Sequence, residues 1–148
     1  MKRFSAAIAI HAAPERIWSI LTEAQRYPSW NTTVDRVEGR IRPGEKIKLY
    51  VKLSPGRAFP VRVTEFVPGA KMVWSGGMPF GLFKGERTFS LVQVSPDAVE
   101  FSMTEVYSGL LSPLIEGSLP DMQPAFEEFA LRLKQCAERP PEDKTPLS

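Results

Sequence analysis

Arg87 and Glu105 are the two residues of this chain whose types and positions could do chemistry together. Each takes an apolar place in a two-residue alternation, Arg87 with Phe89 and Leu91, Glu105 with Phe101, Met103 and Tyr107. The intervening residues, Glu86, Thr88 and Ser90 in one segment and Glu100, Ser102 and Thr104 in the other, suit a solvent-facing side. A charge on an apolar face costs free energy unless it is paired or neutralised. One reading is structural: an Arg87–Glu105 pair bridging neighbouring strands, or a side chain reaching water at a sheet edge. The other is a polar grip inside an oily cavity, holding a ligand's carboxylate, hydroxyl or carbonyl. For proton transfer the candidates are Glu105, Tyr107 and Glu65, since carboxylates in apolar surroundings can serve as acid or base. An arginine beside such a carboxylate works against that use.

The rest of the catalytic inventory is thin. His11 is the only histidine and stands at the end of the first strand-like segment, away from the grip. No Ser-His-Asp triad and no Cys/His zinc site can be built. No phosphate-cradling glycine loop and no dinucleotide fingerprint is present, so no cofactor is expected. The 148 residues suit one domain, expected over 1–138. A formal charge of +2, with basic and acidic residues interspersed, argues against nucleic acid. The single Cys136 excludes an internal disulfide and suits a reducing, cytoplasmic setting with a packing role. Lys2-Arg3 and the residues to Ala13 mimic a leader peptide, but Phe4, Ala6, Ile8 and Ile10 alternate with Ser5, Ala7, Ala9 and His11, a strand pattern. No apolar run approaches the ~20 residues of a membrane span. The sequence leaves a homodimer open.

The elements that must position these residues follow from periodicity. Pro14 suits the first position of a helix whose apolar face is Ile17, Trp18 and Leu21. Pro28 stops it from continuing, so two short helices follow the first strand. Strands are expected over 32–41, 46–53, 59–67, 71–75, 82–94 and 98–108, separated by short turns. Ile47, Leu49, Val51 and Leu53 share one face, opposite Lys46, Lys48, Tyr50 and Lys52; Val61, Val63 and Glu65 share another. Residues 76–83, rich in glycine and aromatics, read either as a greasy lid or as a plain hairpin loop closing the core. From about Pro120 to Ala137, Met122, Phe126, Phe129, Leu133 and Cys136 form one helical stripe, with Pro124 in the first turn or at a kink. The tail 139–148 lacks a core pattern and reads as disordered. Consecutive strands with short turns make an antiparallel sheet, and its apolar face and the helix stripe must cover each other.

This order of elements, with Ala13-Pro14-Glu15-Arg16-Ile17-Trp18, Trp30-Asn31, Val37-Glu38-Gly39, Gly44-Glu45-Lys46-Ile47, Gly85-Glu86-Arg87-Thr88-Phe89-Ser90-Leu91, Thr104-Glu105-Val106-Tyr107-Ser108-Gly109-Leu110-Leu111 and Phe126-Glu127-Glu128-Phe129, resembles the START-like helix-grip superfamily (SRPBCC), especially its polyketide cyclase/dehydrase-like branch. The resemblance spans nearly all of residues 2–137. It implies an α+β helix-grip fold: a curved antiparallel sheet of about seven strands around a long C-terminal helix. It also implies a cavity between sheet and helix that takes lipids, sterols, polyketides or similar molecules, with polar groups at the places of Arg87 and Glu105. A fold shared so widely does not settle a reaction.

In that frame the expected lining is Leu49, Val51 and Val63, Trp74, Phe89, Phe101 and Met103 from the sheet, with Phe126 and Phe129 from the helix. Arg87, Glu105 and Tyr107 are the polar members, and Trp30 stands near the mouth; Trp18 is simple core. The leading expectation is binding or carriage of a small, largely apolar molecule. The alternative is a polyketide cyclase or dehydratase-like enzyme, with Glu105 as the candidate catalytic residue. A protein-interaction module is disfavoured by the polar outer positions Lys46, Lys48, Lys52, Glu100, Ser102 and Thr104.

Overall fold

The computed structural model of the chain describes residues 2–139, so the expected tail lies, apart from Arg139, outside the described residues. Alternation of apolar and polar residues yields seven strands: β1 (Lys2–Ile10), β2 (Val34–Glu38), β3 (Lys46–Val51), β4 (Ala58–Val67), β5 (Lys71–Met78), β6 (Phe83–Ser95) and β7 (Ala98–Ser108). They form one antiparallel sheet in the order β1-β7-β6-β5-β4-β3-β2. Strands β2 to β7 run as successive hairpins, and β1 returns to the flank of β7. The chain passes from one sheet edge to the other through α1 (Pro14–Thr22), a single 3₁₀ turn (Ala24–Arg26) and α2 (Tyr27–Trp30).

The long helix α4 (Gln123–Glu138) covers the concave face with Phe126, Phe129, Ala130, Leu133 and Ala137 buried, and Pro124 sits in its first turn. Both ends of α4 are tied down. Gln123 exchanges hydrogen bonds with the backbone of Ser5 on edge strand β1. At the other end Arg16 donates to the carbonyls of Ala137 (2.7 Å), Cys136 (3.1 Å) and Arg139 (3.1 Å). A cation there satisfies carbonyls that a helix end leaves without partners and suits the negative pole of its dipole. The Glu138 carboxylate accepts from the His11 backbone N–H at 2.8 Å, and that bond, with Lys134, holds it below the usual carboxylate range.

Several expectations need correction. The hairpin between β5 and β6 is shorter than the 76–83 loop read from sequence: Gly76, Gly77 and Met78 pair with Gly85, Lys84 and Phe83. Gly77 permits this because a Cβ there would run into the Phe83 carbonyl oxygen, while Gly76 lets β4 approach from the other side, its Cβ position lying 2.7 Å from the Pro60 carbonyl oxygen. β3 ends at Val51, so Leu53 leaves the inward row and is 50% exposed. A bulge between Val63 and Glu65 reverses the alternation of β4. Phe66 therefore turns inward against Trp18, while Glu65 faces solvent and pairs with Lys71 at 2.9 Å. Glu65 is thereby removed from the proton-transfer candidates. A short helix, α3 (Ser112–Glu116), was not anticipated.

Candidate functional site

The register places the candidate residues in rows across the concave face. One row runs Phe4, Glu105, Arg87, Trp74, Val63 through β1, β7, β6, β5 and β4. The row on one side is apolar: Ala6, Met103, Phe89, Met72 and Phe66. The row on the other side is Lys2, Tyr107, Gly85 and Gly76. The polar groups thus lie between an oily layer and a layer thinned by two glycines.

Arg87 and Glu105 are direct cross-strand neighbours, and their side chains meet at 3.0 Å with only 12% and 14% of their surface exposed. The Tyr107 hydroxyl donates to the same Glu105 oxygen at 3.0 Å. The other face of the guanidinium lies 4.8 Å from the centre of the Phe126 ring of α4, a cation–π contact. Tyr107 stacks on Phe83 at 5.5 Å, and its hydroxyl also touches the Met122 sulfur at 3.9 Å. Burial, and then the Glu105 charge, push the Tyr107 phenol far up, with Arg87 opposing, so it remains a proton-bearing donor. Burial does the same to Tyr27, whose hydroxyl donates to the Leu21 carbonyl at 2.6 Å.

Among the described residues four buried side-chain N–H groups have no acceptor: the indole N–H of Trp30, that of Trp74, Nε of Arg87 and the amide of Asn31, and Trp74 and Arg87 belong to the polar row itself. Trp74 stands opposite Arg87 in the sheet, and Tyr27 lies between the two indoles, 4.9 Å from Trp30 and 6.3 Å from Trp74. A buried donor without a partner carries its full desolvation cost.

The expected apolar lining falls into two groups. Trp74, Phe89, Phe101 and Phe129 touch ring to ring at 4.7–6.4 Å, with Met103 beside Phe89 in the register. Trp30 is buried against Phe129 at 5.4 Å. Val63 is fully buried beside Trp74. Leu49 and Val51 lie on β3, with β4 and β5 between them and β6, so they are not neighbours of Arg87 in the sheet. Two recesses open on the surface: one of about 500 Å³ away from the polar row, beside residues 11–15, Gln93, Pro96 and Asp97, and one of about 360 Å³ at its glycine side, beside residues 75–79, Gly81, Phe83 and Lys84.

Sequence reasoning missed Gly85, Phe83, Tyr27 and Met122 as neighbours of the polar row. Gly85 had a legible signal, a glycine inside a strand pattern. A Cβ there would lie 3.1 Å from the Tyr107 ring and 3.8 Å from a Glu105 oxygen.

Several solved structures share this fold. The hypothetical protein jhp0584 from Helicobacter pylori superposes with a TM-score of 0.74 at 13% identity, covering 92% of this chain and 88% of that one. A START superfamily protein from Mycobacterium smegmatis gives 0.60 at 20% identity, covering 90% and 98%. The di-domain ARO/CYC BexL of the BE-7585A biosynthetic pathway gives 0.68 at 14% identity, covering 91% of this chain and 46% of that one. No curated protein matches the chain. The family model described as "Polyketide cyclase / dehydrase and lipid transport" matches residues 1–138, and with the seven-stranded grip around α4 this makes the chain a member of that family.

Proposed function

We propose that this protein binds a small, largely apolar molecule bearing an uncharged oxygen acceptor, such as a ketone, between the sheet and α4. The observation that carries this reading is the set of buried N–H donors of Trp30, Trp74 and Arg87, without acceptors in an interior whose one anion, Glu105, is already engaged. A neutral carbonyl oxygen would relieve their cost. A carboxylate would set a second anion beside Glu105, which already takes both Arg87 and Tyr107 on one oxygen. The aromatic rings of Phe89, Phe101 and Phe129 pack in contact, so a ligand is accommodated only by displacing side chains of the interior. The matched family covers both lipid transport and cyclisation.

Cyclase or dehydratase chemistry is the second reading, and Tyr107 favours it. A phenol held protonated could turn its O–H from Glu105 to the carbonyl oxygen of a folded polyketide chain, with Glu105 free to accept a proton from the neighbouring carbon, so that the negative charge moves from one oxygen to the other and no second anion is added.

Native mass spectrometry of freshly purified protein, followed by identification of any co-purified molecule, tests the binding. Binding of a fluorescent aryl ketone and of its carboxylate analogue tests the polarity. The ketone should bind at least tenfold more tightly. Arg87→Met/Glu105→Gln should fold and still take a plain apolar probe while losing that preference. Equal binding of all probes by parent and double variant would make the pair purely structural. If turnover is found, retained turnover in Glu105→Gln would remove Glu105 as its acid or base.

A further inference from the structure

The three most exposed large apolar side chains, Phe80, Leu110 and Leu114, gather at one end of the sheet, and Met78 joins them. Phe80 is 92% exposed, Leu110 80%, Leu114 79% and Met78 47%. They come from two segments, the β5–β6 hairpin and the stretch from the end of β7 into α3, which the backbone fastens together. The Leu110 N–H donates to the Gly81 carbonyl at 3.1 Å, and the Leu111 N–H to the Leu82 carbonyl at 2.7 Å. Gly109, at φ 114°, makes this close approach: a Cβ there would lie 2.7 Å from the Leu82 carbonyl oxygen. Phe80 is held at φ 61°, a conformation that bulky residues rarely adopt, and this strained turn presents its ring outward.

Neither segment, 76–83 or 109–115, contains a charged residue. The flanks do. Lys2 and Lys84 lie opposite Tyr107 and Ser108 in the sheet, with Arg3 beside them, and Lys52 and Arg57 belong to the β3–β4 turn at the same end. The acids at this end include Glu86, which pairs with Lys84 at 3.5 Å, Asp35 at the start of β2 next to the β3–β4 turn, Glu116 and Asp121. An uncharged, protruding apolar tip with Lys2, Arg3 and Lys84 on the adjoining strands is complementary to a bilayer interface, where the tip enters the acyl boundary and these cations meet anionic headgroups.

We propose that the fastened pair of segments carrying Met78, Phe80, Leu110 and Leu114 docks this protein on the surface of a lipid bilayer. The docking stands on exposure and charge alone. Its use rests on the ligand-binding reading: Phe83, which follows the tip, stacks on Tyr107, so the docked surface adjoins the polar row.

The test is co-sedimentation of the full chain with phosphatidylcholine vesicles, with and without phosphatidylglycerol. Phe80→Gly/Leu114→Ser removes two apolar side chains and relieves the turn, so it should fold; circular dichroism checks this. The parent should sediment with vesicles, more so with the anionic lipid, and the variant's partition should fall at least tenfold while its ketone binding is kept. Lys2→Ser/Lys84→Ser should lower only the anionic-lipid increment, about fivefold per lysine. No sedimentation of the parent, or equal partition of parent and Phe80→Gly/Leu114→Ser, overturns the proposal. So does a result in which that variant abolishes self-association on gel filtration without changing vesicle binding. Loss of ketone binding in the parent would sink the ligand reading and leave the docking standing.

Discussion

Replacing Glu105 by leucine should be more damaging than replacing Arg87 by methionine, although the two share one contact. The pair meets at 3.0 Å with 12% and 14% of its side-chain surface exposed. Removing one partner of a fully buried pair costs about 3–5 kcal/mol. Partial exposure sets this pair at the low end, about 3 kcal/mol for Glu105→Leu. That variant strands a guanidinium, which cannot shed its charge, and deprives the Tyr107 hydroxyl of its acceptor. Arg87→Met leaves a carboxylate that keeps the Tyr107 bond; its cost is about 2 kcal/mol, including the stacking on Phe126. The double variant Arg87→Met/Glu105→Leu replaces the pair by apolar volume and leaves only Tyr107 unmatched, so it should cost about 2 kcal/mol, less than Glu105→Leu alone. The assay is a double-mutant cycle by chemical denaturation, with thermal melts in parallel. At about 2–4 °C per kcal/mol, Glu105→Leu should lower Tm by about 9 °C. Single costs that add within about 0.5 kcal/mol would show that the two side chains do not act as a unit, and a harsher effect of Arg87→Met would refute the charge argument.

Gly85→Ala should cost about 1 kcal/mol and weaken ketone binding, because the new Cβ meets the Tyr107 ring at 3.1 Å and moves its hydroxyl off Glu105; unchanged melting and unchanged binding would show that the ring yields freely. Arg16→Met should cost about 2 kcal/mol by uncapping three carbonyls, with faster amide exchange confined first to the last turn of α4; uniform exchange along α4 would contradict a local cap. Tyr27 and Tyr107 have folded-state values raised above their unfolded value of about 10, so the stability they contribute is complete below that pH and is lost as pH rises past it. Their phenolate absorbance should therefore appear together with alkaline unfolding, and Tyr107→Phe should move that unfolding to higher pH; phenolate formation at both residues in folded protein would overturn this.

Strand order and the polar pair were legible because both depend on a two-residue period. Arg87 and Glu105 each break an apolar row at a place fixed by that period, and antiparallel pairing brings such places together. The α4 stripe was legible for the same kind of reason, at the helical period. Glu65 was misplaced because a bulge adds one residue to β4, and nothing in the local pattern of alternation announces the extra residue. The continuation of β5 through Gly76 and Gly77 was hidden because glycine normally weakens a strand; here it is needed where Pro60 and Phe83 approach too closely for a Cβ. The unmatched indoles could not be read at all, since they depend on where Tyr27 and Phe129 lie in space.

The placement of the polar row bears on how a ligand would lie. Beyond it in one direction are Met103, Phe89 and Met72, all buried, and farther on Phe101 and Leu91. In the other direction Gly85 and Gly76 leave no side chains on the sheet, and the covering groups are the Tyr107 ring, Phe83 and Met122. The sulfur and the stacked rings are the adaptable contacts of this interior, because thioethers and ring faces tolerate repacking better than the interlocked aromatic layer. Parting the interior at the glycine row therefore disturbs the least packing, and the next row reached is that of Arg87 and Trp74. A molecule entering there meets its hydrogen-bond donors before its apolar bed, so the donors select for an oxygen acceptor before the interior has to yield.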